Sequence, residues 1–228
     1  MTVRPEAEDE SPEGPQSFDV FDDGAILVAD PLATRLVRYD SLGHFVSNID
    51  AGLAASEVDI VDSSTISVLV ASSGERIFIG VDGKRVQEPP ATRSLQMETN
   101  ASAKLTDPQS GTISFVGSRD INDTRNQTIS VHLESKDQRM ASLAVVSTSK
   151  SADTFVAMES ADLPGRSLSN LQTVVRRYDD KGVLRTEVRN ISTDFYVVPN
   201  TQFRVKSGFL YQLQPLRHEV LINVWSIH

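Results

Sequence analysis

The chain has 228 residues, 39% of them hydrophobic and 23% charged, which suits a globular protein with a substantial core. A net charge of −9 leaves no basic footprint for nucleic acid, and no apolar run approaches the about twenty residues that a membrane span needs. Cysteine is absent, which excludes disulfides, thiol catalysis and zinc held by thiolate.

Residues 1–16 open the chain with Glu6, Glu8, Asp9, Glu10 and Glu13 against Arg4, interrupted by Pro5, Pro12 and Pro15. That composition reads as an acidic, solvated tail, and it lacks the apolar segment of a secretory leader. Only Thr2-Val3-Arg4 has strand character. Residues 14–49 then read as one complete unit. A strand over 17–21 carries Phe18 and Val20, and Asp22-Asp23-Gly24 turns it, because Asp bonds its own backbone and Gly accepts positive φ. The run Ala25 to Ala29 is apolar throughout, as expected of a strand covered on both faces. A polar loop over 30–34, a third strand over 35–39, a turn over 40–43 and a fourth strand over 44–49 complete it. Four short strands cannot bury both faces of their own sheet, so the unit needs neighbours.

This stretch resembles a blade of the NHL-type or SMP-30-like bacterial β-propellers. The resemblance rests on Gly14-Pro15, Phe18-Asp19-Val20, Asp23-Gly24, Ile26 to Asp30, Arg35 to Asp40, and Gly43. It implies fold, since these are turn and core positions. SMP-30-like enzymes hold a divalent metal at the channel mouth through acid, Asn or His side chains. No position here matches that ligand set residue by residue.

The pattern recurs down the chain. A second unit has strands over 58–61, 65–70, 76–81 and 84–87, with Asp82-Gly83 as its strongest hairpin signal. A third has a turn at 107–111, a strand over 112–116, a long polar loop over 117–127 and an alternating strand over 128–134. A fourth has strands over 142–147, 154–158, 173–178 and 183–189, with a long loop over 159–172. A fifth has strands over 203–205, 209–213 and 220–227, preceded by an extra strand at 195–198. The matched positions Ile26, Ile66, Ile113, Phe155 and Leu210 stand 40, 47, 42 and 55 residues apart, the period of a propeller or repeat array. The last unit lacks a fourth strand, so pairing of Thr2–Arg4 with 220–227 is expected to close the ring.

The expected architecture is therefore all-β: a propeller of about five four-stranded blades, or six with one incomplete, formed by residues 17–228 as a single domain behind the tail. The chain holds no G-x-x-x-x-G-K-S/T, G-x-G-x-x-G or H-E-x-x-H motif. Gly165 to Ser169 approaches a nucleophile elbow but ends in Ser where Gly is needed. Asp120, Asn122 and Thr124 have the spacing of a calcium loop, yet Val131 stands where its bidentate acid belongs. His44, His132, His218 and His228 are too scattered to share a metal from one strand, and Trp225 reads as core. In a propeller the connections between second and third strands gather at the channel mouth. They carry Arg119, Asp120, Asn122, Asp123, Arg125, Arg166, Arg217 and His218, the candidate partner-binding residues. The expected function is a non-catalytic binding or scaffold module, a monomer that recognises a protein or carbohydrate through this loop face. The alternative is a metal-dependent hydrolase or lyase at the channel mouth, with a divalent cation such as calcium. An extracytoplasmic setting fits a chain trimmed of its leader.

Overall fold

The computed structural model describes residues 1, 13–88, 102–107, 112–120, 123–130, 138–148, 153–162 and 169–227. Among them are seventeen β-strands, one short 3-10 turn at Pro31–Ala33 and no α-helix. The strands form five small antiparallel sheets, each built from strands consecutive in the sequence. Two units separate: one holds the described residues of 1–92 and 194–226, the other those of 93–193 and 227.

The first unit contains three sheets. Strands β1 (Ser17–Val20), β2 (Ile26–Asp30), β3 (Arg35–Tyr39) and β4 (Phe45–Asp50) form a four-stranded meander. Its turns are built as the sequence suggests: Asp23 Oδ1 accepts the Ala25 N–H at 2.9 Å, and Asp40 Oδ1 accepts those of Leu42 and His44 at 2.9 and 2.8 Å. Gly24 and Gly43 supply the positive φ these turns need, 82° and 84°. Strands β5 (Ala55–Ile60), β6 (Thr65–Val70) and β7 (Arg76–Gly80) form the second sheet. The expected fourth strand over 84–87 shrinks to a bridge between Ile79 and Arg85, although the Val86 N–H still reaches the Phe78 carbonyl at 2.9 Å. The third sheet returns late in the sequence, with β15 (Phe203–Lys206), β16 (Phe209–Pro215) and β17 (Val220–Ser226).

The apolar run of β2 is explained by what covers it. On one face Leu27 and Ala29 join Leu36 and Ile49 against Val58, Ile66, Val68 and Ile79 of the second sheet. On the other, Ile26 and Val28 join Phe18 and Val20 against Tyr211 and Leu213 of β16. Every residue of β2 is buried. Two apolar interfaces on one short sheet are what its sequence requires, and burial at about 25 cal/mol per Å² makes them the main stabilising contribution.

The second unit contains β8 (Ser102–Asp107), β9 (Thr112–Asp120) and β10 (Asp123–Ser130), paired β10-β9-β8. It also holds the four-stranded meander of β11 (Gln138–Thr148), β12 (Thr154–Asp162), β13 (Ser169–Tyr178) and β14 (Leu184–Ile191). Its turn after β13 repeats the Asp40 design, with Asp179 Oδ1 accepting the N–H groups of Lys181 and Val183 at 2.9 Å each.

The matched positions Ile26, Ile66, Ile113, Phe155 and Leu210 all fall in the second strand of their sheets. Among the described residues two sheets have four strands and three have three, the last of them three-stranded as its sequence suggests. Three expectations need correction. The long loop over 117–127 is instead the hairpin of β9 and β10, running up to Asp120 and resuming at Asp123. Backbone pairing does not depend on apolar side chains, so polarity alone did not mark a loop. The loop over 159–172 shortens likewise, because β12 continues to Asp162 and β13 starts at Ser169, with register shifts absorbing the irregular pairing. The extra strand at 195–198 does not form: only the Tyr196 N–H reaches the sheet, at the Pro215 carbonyl, 2.9 Å away. Pro199, lacking an N–H, stands at its end. Thr2–Arg4, Asn122, His132, Arg166 and His228 lie outside the described residues.

Candidate functional site

The largest concentration of partly buried charge in the first unit sits where β1, β5 and β15 meet. Alternation along β1 sends Phe18 and Val20 into the apolar interface with β16 and leaves Ser17 and Asp19 toward β5. Ser17 Oγ accepts the Val58 N–H at 3.1 Å and donates to Thr201 Oγ1 at 3.0 Å. Asp19 Oδ2 accepts the Ile60 N–H at 2.6 Å, while Oδ1 accepts its neighbour's N–H, from Val20, at 2.9 Å. A side chain of β1 thus completes backbone bonding on β5.

Arg204 enters from β15. Its Nη2 donates to Asp59 Oδ1 at 2.9 Å and to the Val58 carbonyl at 3.3 Å, and its Nε lies 3.4 Å from Asp19 Oδ1. A second guanidinium closes the network from β7. Arg76 Nη1 donates to Asp59 Oδ2 at 2.7 Å and Ser67 Oγ at 2.8 Å, and Nη2 to Glu57 Oε2 at 2.8 Å. The side chains of Asp59 and Asp19 are only 13% and 18% exposed, so these pairs operate with little solvent screening.

Two upward shifts follow, of opposite consequence for charge. Burial pushes the Asp19 carboxyl above the ordinary aspartate value; Arg204 and the N–H groups of Ile60 and Val20 pull it back only in part, and Asp59 adds to the rise. Burial also works against the charge of Arg76, but Asp59 and Glu57 outweigh it and hold the guanidinium above its usual range. Chemically, the arrangement fastens three sheets together through paired charges.

The second unit has its own ion pairs. Buried Arg176 donates through Nε to Glu187 Oε2 at 2.5 Å, and Arg189 pairs with the other oxygen of Glu187. Burial raises the Glu187 carboxyl, yet the two guanidiniums prevail and hold it below the usual carboxylate value. Arg177 bridges Asp153 at 2.9 Å and the Ile227 carbonyl at 3.0 Å.

The residues singled out from the sequence are placed differently. Arg119 and Asp120 end β9, and Asp123 and Arg125 begin β10, so all four belong to strands and not to an open loop. Asp120 pairs with Asp123 across the hairpin tip and Arg125 with Gly117. The calcium-loop spacing of Asp120 and Thr124 is therefore divided between two paired strands. Arg217 and His218 are exposed in the turn between β16 and β17, closed by the Leu216 N–H on the Glu219 carbonyl at 2.8 Å. His44 is exposed beside Asp40, with Nδ1 3.0 Å from Oδ2. Trp225 is half-buried on β17. Asp19, Asp59 and Arg204 were missed as site residues, although the sequence marks them. Phe18-Asp19-Val20, Val58-Asp59-Ile60 and Phe203-Arg204-Val205 are matched apolar–charged–apolar triplets in the first strands of three units.

A succession of small antiparallel meanders, with sheet faces stacked through apolar side chains in the first unit, defines an all-β chain. No family model and no curated protein matches it. Among solved structures, it is similar to a functionally unknown protein from Desulfotomaculum acetoxidans, with 10% identity and a TM-score of 0.37 over 93% of this chain and 82% of that one. Virginiamycin B lyase from Staphylococcus aureus gives 11%, 0.34, 94% and 85%, and BamB from Moraxella catarrhalis 12%, 0.27, 93% and 83%. At these scores the likenesses carry no argument about activity. Among the described residues no helix is long and apolar enough to cross a membrane, which says nothing of a β-barrel.

Proposed function

We propose that the chain is a non-catalytic, extracytoplasmic binding or scaffold module, a monomeric propeller of NHL or SMP-30-like kind that engages a protein partner through its connecting segments. One observation carries this reading. The charged cluster at the inner strands is spent on joining strands: Arg204 and Arg76 are bonded to Asp59, Glu57, Ser67 and the Val58 carbonyl. Residues committed to holding sheets together are poorly placed to turn over a substrate, because moving them would leave charge buried and unpaired. Recognition then falls to exposed turns such as the one carrying Arg217 and His218. A carbohydrate partner is the second form of the same reading.

Turnover decides between this and a metal-dependent hydrolase or lyase. The purified chain is expected to leave lactone, phosphotriester and polyuronate substrates unchanged, with or without added calcium or other divalent cations. Turnover that EDTA abolishes would establish the enzymatic reading instead.

Ring closure belongs to the same proposal. Among the described residues β17 pairs with β16 alone, and a cleft of about 280 Å³ beside it is lined by Val220, Ile222, Val224 and Met1. The position of Met1 supports pairing of Thr2–Arg4 with β17. Deleting residues 1–5 is expected to lower Tm by several degrees, since each lost ladder bond costs about 1 kcal/mol. An unchanged Tm in a protein that stays monomeric would mean that the β17 edge is covered in another way.

A further inference from the structure

We propose that Asp19 is a proton-binding site built into the first unit, where three carboxylates share two guanidiniums at the junction of β1, β5 and β15. The acids are Asp19, Asp59 and Glu57, and the bases are Arg204 and Arg76. Lys206 on β15 is occupied elsewhere, 2.7 Å from exposed Asp22. One negative charge is therefore in excess within a poorly solvated space.

Geometry decides which acid carries it. Asp59 has a guanidinium nitrogen on each oxygen, at 2.9 and 2.7 Å, and Glu57 has one at 2.8 Å. The closest guanidinium nitrogen to Asp19 is Arg204 Nε, at 3.4 Å. The bonds Asp19 receives otherwise are from the backbone N–H groups of Ile60 and Val20. These bonds bring no formal positive charge, so Asp19 lacks the close cationic partner that Asp59 and Glu57 each have. The raised proton affinity of Asp19, caused first by burial, points the same way. On taking up its proton Asp19 loses its attraction for Arg204, which then rests on Asp59 and the Val58 carbonyl. The tie between β1 and β15 thus weakens while that between β5 and β15 persists.

The linkage has a defined sign. A carboxyl whose affinity for protons is higher in the folded protein contributes stability at pH below its unfolded value. That contribution is lost as pH rises through the folded value. The turn carboxylates Asp40, Asp62, Asp82 and Asp179 are held below the ordinary value, chiefly by backbone N–H groups. They act oppositely, losing their contribution only in more acid solution.

The test is a carbon-detected NMR titration of side-chain carboxyl groups in the full chain, with the Asp19 signal assigned by its loss in Asp19→Asn. The expected midpoint lies above that of an ordinary aspartate. In Asp59→Asn it is expected to fall, because the competing carboxylate is gone and Arg204 is freed. A wild-type midpoint at or below the ordinary aspartate value would overturn the proposal, as would an Asp59→Asn variant that folds and titrates unchanged. Should Asp59→Asn not fold, the wild-type titration decides alone. A partner assay is not involved, so failure here leaves the binding reading untouched.

Discussion

Replacing Arg204 with methionine is expected to destabilise the chain by about 3 kcal/mol, the cost of removing one partner from a largely desolvated ion pair. For a chain of this size that corresponds to a fall of about 6–12 °C in Tm, measured by thermal unfolding at neutral pH. Methionine keeps much of the volume, so the loss reports charge more than packing. It removes the donor to Asp59 Oδ1 and the Val58 carbonyl, and the cation nearest Asp19. Asp59 keeps Arg76 on its other oxygen, which is why the effect should stay near the low end of the range. Arg217→Ala, at an exposed turn, is expected within about 0.5 kcal/mol of wild type. Similar losses in both variants would mean that solvent screens the network far more than its exposure suggests. The double variant Asp19→Asn with Arg204→Met should cost less than the sum of its parts, since each change removes the partner the other would strand.

How much of this was legible in the sequence depended on whether side chains or backbone carried the structure. The run Ala25 to Ala29 announces a strand buried on both faces, and packing against two sheets is what it receives. The Asp and Gly turns at 22–24, 40–43 and 179–182 were readable because their chemistry is local. The hairpin of β9 and β10 was not, because its pairing needs only backbone groups and its residues look like a loop. Strand β4 shows the reverse case: Phe45 and Val46 are 59% and 51% exposed despite an apolar sequence, since both belong to an outer strand. The site was half legible. The triplets around Asp19, Asp59 and Arg204 were visible, but their apolar flanks were read for fold and the central charge was passed over. Charged residues at matched positions 40 and 145 residues apart have meaning only once the sheets are known to meet, as the Arg204–Asp59 and Asp19–Ile60 bonds show.

Phe18→Ala is expected to cost about 3–5 kcal/mol, the range for deleting a buried aromatic side chain. Phe18 is fully buried among Val20, Ile26 and Val28 of its own sheet and Tyr211 and Leu213 of β16. Four of these five neighbours are held in strand backbone paired on both sides or by their own sheet, so the walls cannot collapse readily into the space left behind. An unrelaxed cavity adds to the lost transfer free energy, which places the effect in the upper part of the range. The consequence is specific to the first unit, because Phe18 joins two segments, 17–50 and 203–226, that are distant in sequence. Hydrogen exchange in the variant should therefore rise together in β1, β2 and β16 before it rises in β12 and β13. Phe18→Leu, which retains most of the apolar contact, is expected to recover more than half of the loss. If Phe18→Ala unfolded within about 1 kcal/mol of wild type, the interface between β1–β2 and β16 would not be the packed contact described here. The return of residues 203–226 to the first sheet would then have to rest on polar contacts such as the Arg204 network, the Lys206–Asp22 pair and the Thr201–Gln16 and Thr201–Ser17 bonds.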